Sequence, residues 1–194
     1  MTKFFSNGIE RYRMKFRVFC LVFTLLLIST INCQVKNFGL GIFLGAGSIS
    51  GNLPSQTSFD AGITLDFEPA FTKGLPLRLG VVYARKFEVI LPSGLLGKYY
   101  PFVKGIYLKG ILQQPLGKLG YLEEALGPLL LNDRTFNDVN AYDVGAVFSL
   151  LVGLNFLDFE NSGFKIGVGV EYGTTFTNTT AQYSSVYLQG QYFF

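Results

Sequence analysis

The sequence predicts an all-β protein, an eight-stranded antiparallel up-and-down transmembrane β-barrel. Three observations carry that expectation. Apolar and non-apolar residues alternate with period two in one segment after another, the signature of a strand with two unlike faces. The non-apolar phase is crowded with glycine. The chain also begins with an export signal and ends on aromatic residues that fall in the apolar phase.

The export signal comes first in the chain. Lys15 and Arg17 precede an apolar run from Val18 to Ile28, and Ser29-Thr30-Ile31-Asn32-Cys33 then turns small and polar. A charged start, a core of this length and a small-residue exit describe a secretory signal peptide. A membrane-spanning helix needs about 20 consecutive apolar residues, and this run stops short of that. Residues 1–33 are therefore read as the signal and 34–194 as the barrel domain. Met14 opens an ordinary signal on its own, so residues 1–13 read as a start-site extension. Cleavage is expected after Cys33, leaving Gln34 at the N-terminus. The alternative, lipidation of Cys33, is disfavoured by Asn32, where a small residue is wanted.

Removing that segment changes the charge. Five of the 16 Lys and Arg and one of the 13 Asp and Glu leave with it, so 11 cations face 12 anions, a net charge of −1. The basic balance belongs to the export signal, which removes the argument for a nucleic-acid partner. Both cysteines, Cys20 and Cys33, are lost too, so disulfides, thiol nucleophiles and cysteine metal clusters are excluded from the mature chain.

The strands follow in order. Phe38, Leu40, Ile42, Leu44 and Ala46 alternate with Gly39, Gly41, Phe43, Gly45 and Gly47. Phe59, Ala61, Ile63, Leu65 and Phe67 alternate with Asp60, Gly62, Thr64, Asp66 and Glu68. Leu77, Leu79, Val81 and Tyr83 oppose Arg78, Gly80, Val82, Ala84 and Lys86, and Ile106, Leu108 and Leu112 oppose Gly105, Tyr107 and Lys109. After a fifth segment, Val144–Phe156 and Phe164–Tyr172 alternate in the same way, and Val186, Leu188, Gly190, Tyr192 and Phe194 close the chain against Ser185, Tyr187, Gln189 and Gln191.

The fifth segment, Leu119–Leu131, is ambiguous, because its local propensity also suits a short helix. Adjacent Glu123 and Glu124 would put one carboxylate on each face of a strand. Parity favours the strand, since bacterial barrels have even strand numbers with short turns at one rim and longer loops at the other. Tight turns are then expected at Thr72-Lys73-Gly74, Pro115-Leu116-Gly117 and Asn161-Ser162-Gly163. Longer loops are expected near residues 49–57, 91–98, 132–141 and 177–183.

Alternation alone does not say which face meets water. A glycine-rich face suits a crowded lumen, since eight strands enclose only enough room for their own side chains. The apolar face is therefore assigned to lipid. The polar phase brings Asp60, Asp66, Glu68, Asp143 and Glu171 inside with Arg78, Lys86, Lys109 and Lys165, and charges buried there must be paired. That network is expected to be structural filling, with an ion or proton path as the alternative. Tyr192 and Phe194 are expected to form the signal read by the outer-membrane insertion machinery.

From Lys104 onward the chain resembles the outer membrane protein beta-barrel domain family of small eight-stranded bacterial barrels. Lys118–Pro128 is similar to that family's fifth strand, Asn140-Ala141-Tyr142-Asp143-Val144-Gly145-Ala146-Val147 resembles the strand after it, and Val186–Phe194 fits its last. The resemblance implies architecture and an outer-membrane location, and no catalytic residues.

The chain contains no histidine, which removes the commonest general base and metal ligand. Gly167-Val168-Gly169-Val170-Glu171-Tyr172-Gly173 misses the dinucleotide-binding spacing and sits within a strand. Asn132, Asp133, Asn137, Asp138 and Asn140 gather oxygen ligands that a hard cation would accept, although Asn and Asp are also ordinary turn formers. No catalytic, cofactor or metal site is assigned. The expected function is non-enzymatic, structural or through surface loops, with outer-membrane lipid and the insertion machinery as partners. The alternatives are a narrow channel or port for small hydrophobic molecules, or an accessory subunit of an envelope or secretion complex with an unknown envelope protein partner.

Overall fold

The computed structural model describes residues 35–51, 54–72, 74–89, 99–136, 140–158 and 162–194. The export segment, with Cys33 and its cleavage point, lies outside the described residues. Eight strands account for most of the remainder: β1 Val35–Ser50, β2 Gln56–Pro69, β3 Leu77–Lys86, β4 Phe102–Leu116, β5 Gly120–Arg134, β6 Ala141–Leu157, β7 Gly163–Thr175 and β8 Gln182–Phe193. Each pairs with its sequence neighbours, and β8 returns to β1, so the sheet closes as an up-and-down barrel. In the closing seam Gly39 lies opposite Phe193 and Ser50 opposite Gln182.

The ambiguous fifth segment is a strand. It pairs with β4 from Phe102 opposite Arg134 to Leu116 opposite Gly120, and with β6 from Gly120 opposite Leu154 to Asp133 opposite Ala141. Its inward phase, Tyr121, Glu123, Ala125 and Leu129, is buried, while Leu126 and Leu130 are exposed. Tertiary pairing on both edges overrides the local helical preference.

The connections differ from expectation in detail. The connections β2–β3, β4–β5 and β6–β7 leave from the same rim as the start of β1 and the end of β8, here called the terminal rim. The connections β1–β2, β3–β4, β5–β6 and β7–β8 leave from the opposite rim, here called the loop rim. Pro115 and Leu116 belong to β4, and the turn itself is 117–119, where Gly117 has φ of 73°. Left-handed backbone of this kind suits glycine. The contrast in length between the rims is smaller than predicted, because β1, β5 and β8 run further into the polar segments than their apolar alternation does.

Two luminal glycines show why the non-apolar face needs them. A Cβ on Gly80 would stand 2.3 Å from the Tyr107 ring, and one on Gly62 would stand 2.3 Å from the Phe43 ring. Each ring lies flat over bare backbone of a neighbouring strand, so large side chains fill a narrow lumen. Gly80→Val should therefore destabilise the barrel by about 1–3 kcal/mol through overpacking. Gly110→Ala, with nothing nearer than 3.7 Å, should stay within about 0.5 kcal/mol. Urea unfolding in lipid vesicles compares them, and equal loss at both positions would refute the packing argument.

Candidate functional site

The inward faces of all eight strands converge on one polar interior. Arg78 of β3 is its largest element and is 1% exposed. Its Nε donates to Asp66 Oδ1 and its Nη2 to Asp66 Oδ2, both at 2.7 Å, from the directly paired position on β2. Its Nη1 reaches across the lumen to Glu123 Oε1 of β5 at 2.5 Å, and Nη2 also donates to Glu123 Oε2 at 3.1 Å. One planar guanidinium thus engages two carboxylates in paired geometry. Gln191 Nε2 of β8 adds a bond to Asp66 Oδ2 at 2.8 Å, so this cluster links strands on opposite sides of the barrel.

A second cluster sits beside it. Lys109 of β4 donates to Glu171 Oε2 of β7 at 2.6 Å and to Ser149 Oγ of β6 at 3.0 Å. Its ammonium also lies 4.4 Å from the Tyr107 ring centroid. Tyr183 donates its hydroxyl proton to Glu171 Oε1 at 2.6 Å. Both carboxylate oxygens of Glu171 are therefore occupied.

The other residues expected in the network are placed differently. Lys165 donates to Gln113 Oε1 at 2.9 Å and packs against the Phe193 and Tyr121 rings, 4.6 and 5.5 Å from their centroids. Glu68 accepts from Asn37 Nδ2 at 2.9 Å at the terminal rim. Lys86 pairs with Glu88 at 3.0 Å at the loop rim. Asp143 serves as an anchor for the last loop, accepting from the Thr177 hydroxyl at 2.6 Å, the Asn178 amide at 2.8 Å and the Thr179 hydroxyl. Asp60 accepts from Ser58 Oγ at 2.9 Å.

Sequence reasoning missed Glu123, Gln191, Ser149, Tyr183 and Gln113. For Glu123 half of the signal was present: of two adjacent carboxylates one had to face the lumen, and the structure gives that place to Glu123, in phase with buried Tyr121 and Ala125.

Among the described residues, five buried polar atoms of the lumen make no hydrogen bond of ordinary geometry, Asp60 Oδ2, Thr64 Oγ1, Ser185 Oγ, Tyr187 Oη and Gln189 Nε2, although Ser185 stands near the Asp60 carboxyl and Ser149 near the Tyr187 hydroxyl. These five come from β2 and β8, the two strands flanking glycine-rich β1. At the terminal rim a cavity of about 230 Å³ opens beneath the Arg78 cluster, lined by Asn37, Asp66, Glu68, Gln113, Glu123 and Lys165 among others.

The oxygen-rich loop is partly outside the described residues, which omit Asn137 and Asp138. Within the described part, Asn132 Nδ2 donates to Asn140 Oδ1 at 2.9 Å and to Ala141 O at 3.2 Å, while Asp133 Oδ1 accepts from the Thr135 amide and hydroxyl. These are the contacts of turn formers.

The outer surface is the inverse of the lumen. Ile42, Leu44, Ile63, Leu126, Val168 and Leu188 are all more than half exposed. A continuous apolar band of this kind is far beyond what a water-facing surface carries. Aromatic residues collect at its edges. Phe194 lies 6.0 Å from Phe38 and 5.1 Å from Tyr192 at the terminal rim, and Tyr83 lies 6.4 Å from Phe59 and 5.6 Å from Phe102 towards the loop rim. An apolar band between aromatic girdles is the surface of a transmembrane barrel.

No protein-family model and no curated protein sequence matches the chain. Solved structures do. Neisserial surface protein A aligns at 10% identity over 81% of this chain and 97% of its own, with a TM-score of 0.56. Ail, the attachment invasion locus protein of Yersinia pestis, aligns at 13% identity over 81% and 98%, with a TM-score of 0.52. With eight antiparallel strands closed in sequence order and this likeness over nearly the full length of both structures, the chain has the fold of the small eight-stranded barrels of bacterial outer membranes.

Proposed function

We propose that this chain is an exported, integral, non-enzymatic protein of a bacterial outer membrane, whose closed barrel presents its loop rim and outer surface for interaction. The observation that carries the reading is the pairing of opposites. The lipid-facing side is a largely apolar band, and the lumen behind it is filled by cross-barrel ion pairs. Arg78, bonded to carboxylates on two strands, is held as a plug, and Lys109 with Glu171 and Tyr183 fills the adjoining level. The lack of histidine supports a non-enzymatic role. The signal segment supports export, and Tyr192 with Phe194, outward-facing at the end of β8, suits the role of insertion signal.

The expected result is no steady ion current when purified, refolded protein is recorded in a planar bilayer at moderate salt. Heat-modifiable gel migration would show in parallel that the barrel is folded. Stepwise openings whose frequency follows protein concentration would overturn the closed-lumen reading.

A second reading, a narrow water or ion path, is favoured by the buried atoms of Asp60, Thr64, Ser185, Tyr187 and Gln189 that make no hydrogen bond of ordinary geometry. Buried polar groups in such numbers call for water. The same recording tests the ion path, because only a continuous ion path carries sustained current and water confined beside an intact Arg78 plug does not.

A further inference from the structure

A basic cluster stands on the outer face of β3, β4 and β5 near the loop rim, in the phase that elsewhere carries only lipid-facing residues. Arg85, Phe102 and Arg134 lie side by side across the three strands. Each guanidinium carbon sits 5.9 Å from the Phe102 ring centroid, so one ring supports both cations. One step towards the membrane centre, Lys104 lies between Tyr83 on β3 and Asn132 on β5, and its side chain is exposed.

Among the described residues the two arginines have the Phe102 ring beside them, and these cations have no carboxylate partner. The Nε atoms of Arg85 and Arg134 are both buried without a hydrogen-bond acceptor. Among the described residues none of the three forms an ion pair. The nearby acids among the described residues are turned to other tasks: Glu88 pairs with Lys86 at 3.0 Å, and Asp133 accepts from the Thr135 amide and hydroxyl. Below the cluster runs a groove of about 280 Å³ with Lys104, Asn132 and Tyr142 at its polar end and Val81, Ile106 and Leu130 along its apolar walls. The register places the polar end towards the loop rim and the apolar end towards the membrane centre, since Ile106 and Leu130 pair one full outward step below Lys104 and Asn132.

We infer that this face of β3–β5 binds a membrane lipid with a phosphorylated headgroup, its phosphate oxygens on Arg85, Lys104 and Arg134 and an acyl chain in the groove below. This rests on the outer-membrane reading above, because the groove must open to lipid. Lys104 at the mouth of an open apolar groove, with Arg85 and Arg134 one step beyond it and none of the three in an ion pair among the described residues, complements an anionic headgroup joined to hydrocarbon. Guanidinium groups with free donors bond phosphate strongly at a water–lipid boundary. Basic residues at such a boundary are the usual means of holding anionic lipid.

The test uses refolded protein in phosphatidylcholine nanodiscs doped with bisphosphorylated lipid A, or with the same lipid stripped of its phosphates. Lipid retained after extraction is read by native mass spectrometry, and heat-modifiable migration reports folding. Wild type should retain the phosphorylated lipid selectively. The triple variant Arg85→Gln, Lys104→Gln, Arg134→Gln should fold and retain it on the order of a hundredfold less strongly. Lys118→Gln, in the turn at the opposite rim, should leave retention unchanged. A folded wild type without preference for the phosphorylated lipid, or a triple variant with undiminished retention, would overturn the inference while leaving the membrane barrel intact. Failure of wild type to fold into any of these bilayers would overturn the outer-membrane reading and this inference together.

Discussion

Arg78→Met should destabilise the barrel by about 3–5 kcal/mol, the loss typical of removing one partner from a buried ion cluster. The side chain is 1% exposed and holds Asp66 and Glu123 from strands on different sides of the lumen. Without it two carboxylates remain buried with no cation between them. The loss comes from what is left behind more than from the bonds removed. Asp66→Asn and Glu123→Gln added to Arg78→Met should therefore recover much of the stability, since neutral amides can bond one another and Gln191. Urea unfolding in vesicles, followed by gel migration, measures both variants. A single variant within about 1 kcal/mol of wild type, or a triple variant weaker than the single, would show that the cluster does not hold the lumen together.

Val168→Arg should destabilise the barrel by about 2–4 kcal/mol, the penalty for a cation on the lipid face near the midplane. Val168 lies in the middle of β7, opposite Val152 and Leu188, and is 56% exposed. Its neighbour Gly169 faces the lumen, where an added Cβ would stand 2.8 Å from the Tyr187 ring. Substitution at 169 acts through crowding, and at 168 through loss of the hydrocarbon environment. Folding yield into vesicles of increasing thickness separates the two, because only the lipid-facing penalty follows the depth of the residue. Equal tolerance of Arg at 166, 168 and 170 would reverse the assignment of faces.

Much of this architecture was legible because period-two alternation reports directly on which side of a strand is buried. Phe164 to Tyr172 is the clearest case: every apolar residue there faces outward and every glycine inward. β5 was harder, since Leu129-Leu130-Leu131 has no alternation and Glu123-Glu124 puts like residues on opposite faces. Only pairing with β4 and β6 fixes its phase, and with the phase left open Glu123 was not recognised as Arg78's second partner. The same limit hid the rim anchors. Composition says that Asp143 is inward and acidic, but not that the loop at 177–179 folds over to bond it. Lys86 likewise carries the lumen phase and yet pairs at the rim with Glu88, because β3 ends there. Periodicity gives the face of a residue, whereas partners depend on how far each strand runs and where its loop turns.

The seam between β1 and β8 also governs the order of events in time. Gly39 meets Phe193 there, so the ring is completed by the first and last strands. No shorter ring is available, because every other seam joins neighbours in sequence. Until the final residues arrive, any partly assembled sheet carries two raw edges able to pair with another chain. Contacts of such long sequence separation also form slowly. The ring closes only when the last strand meets the first, so loss of β8 should leave β1 and β7 each with an unpaired edge.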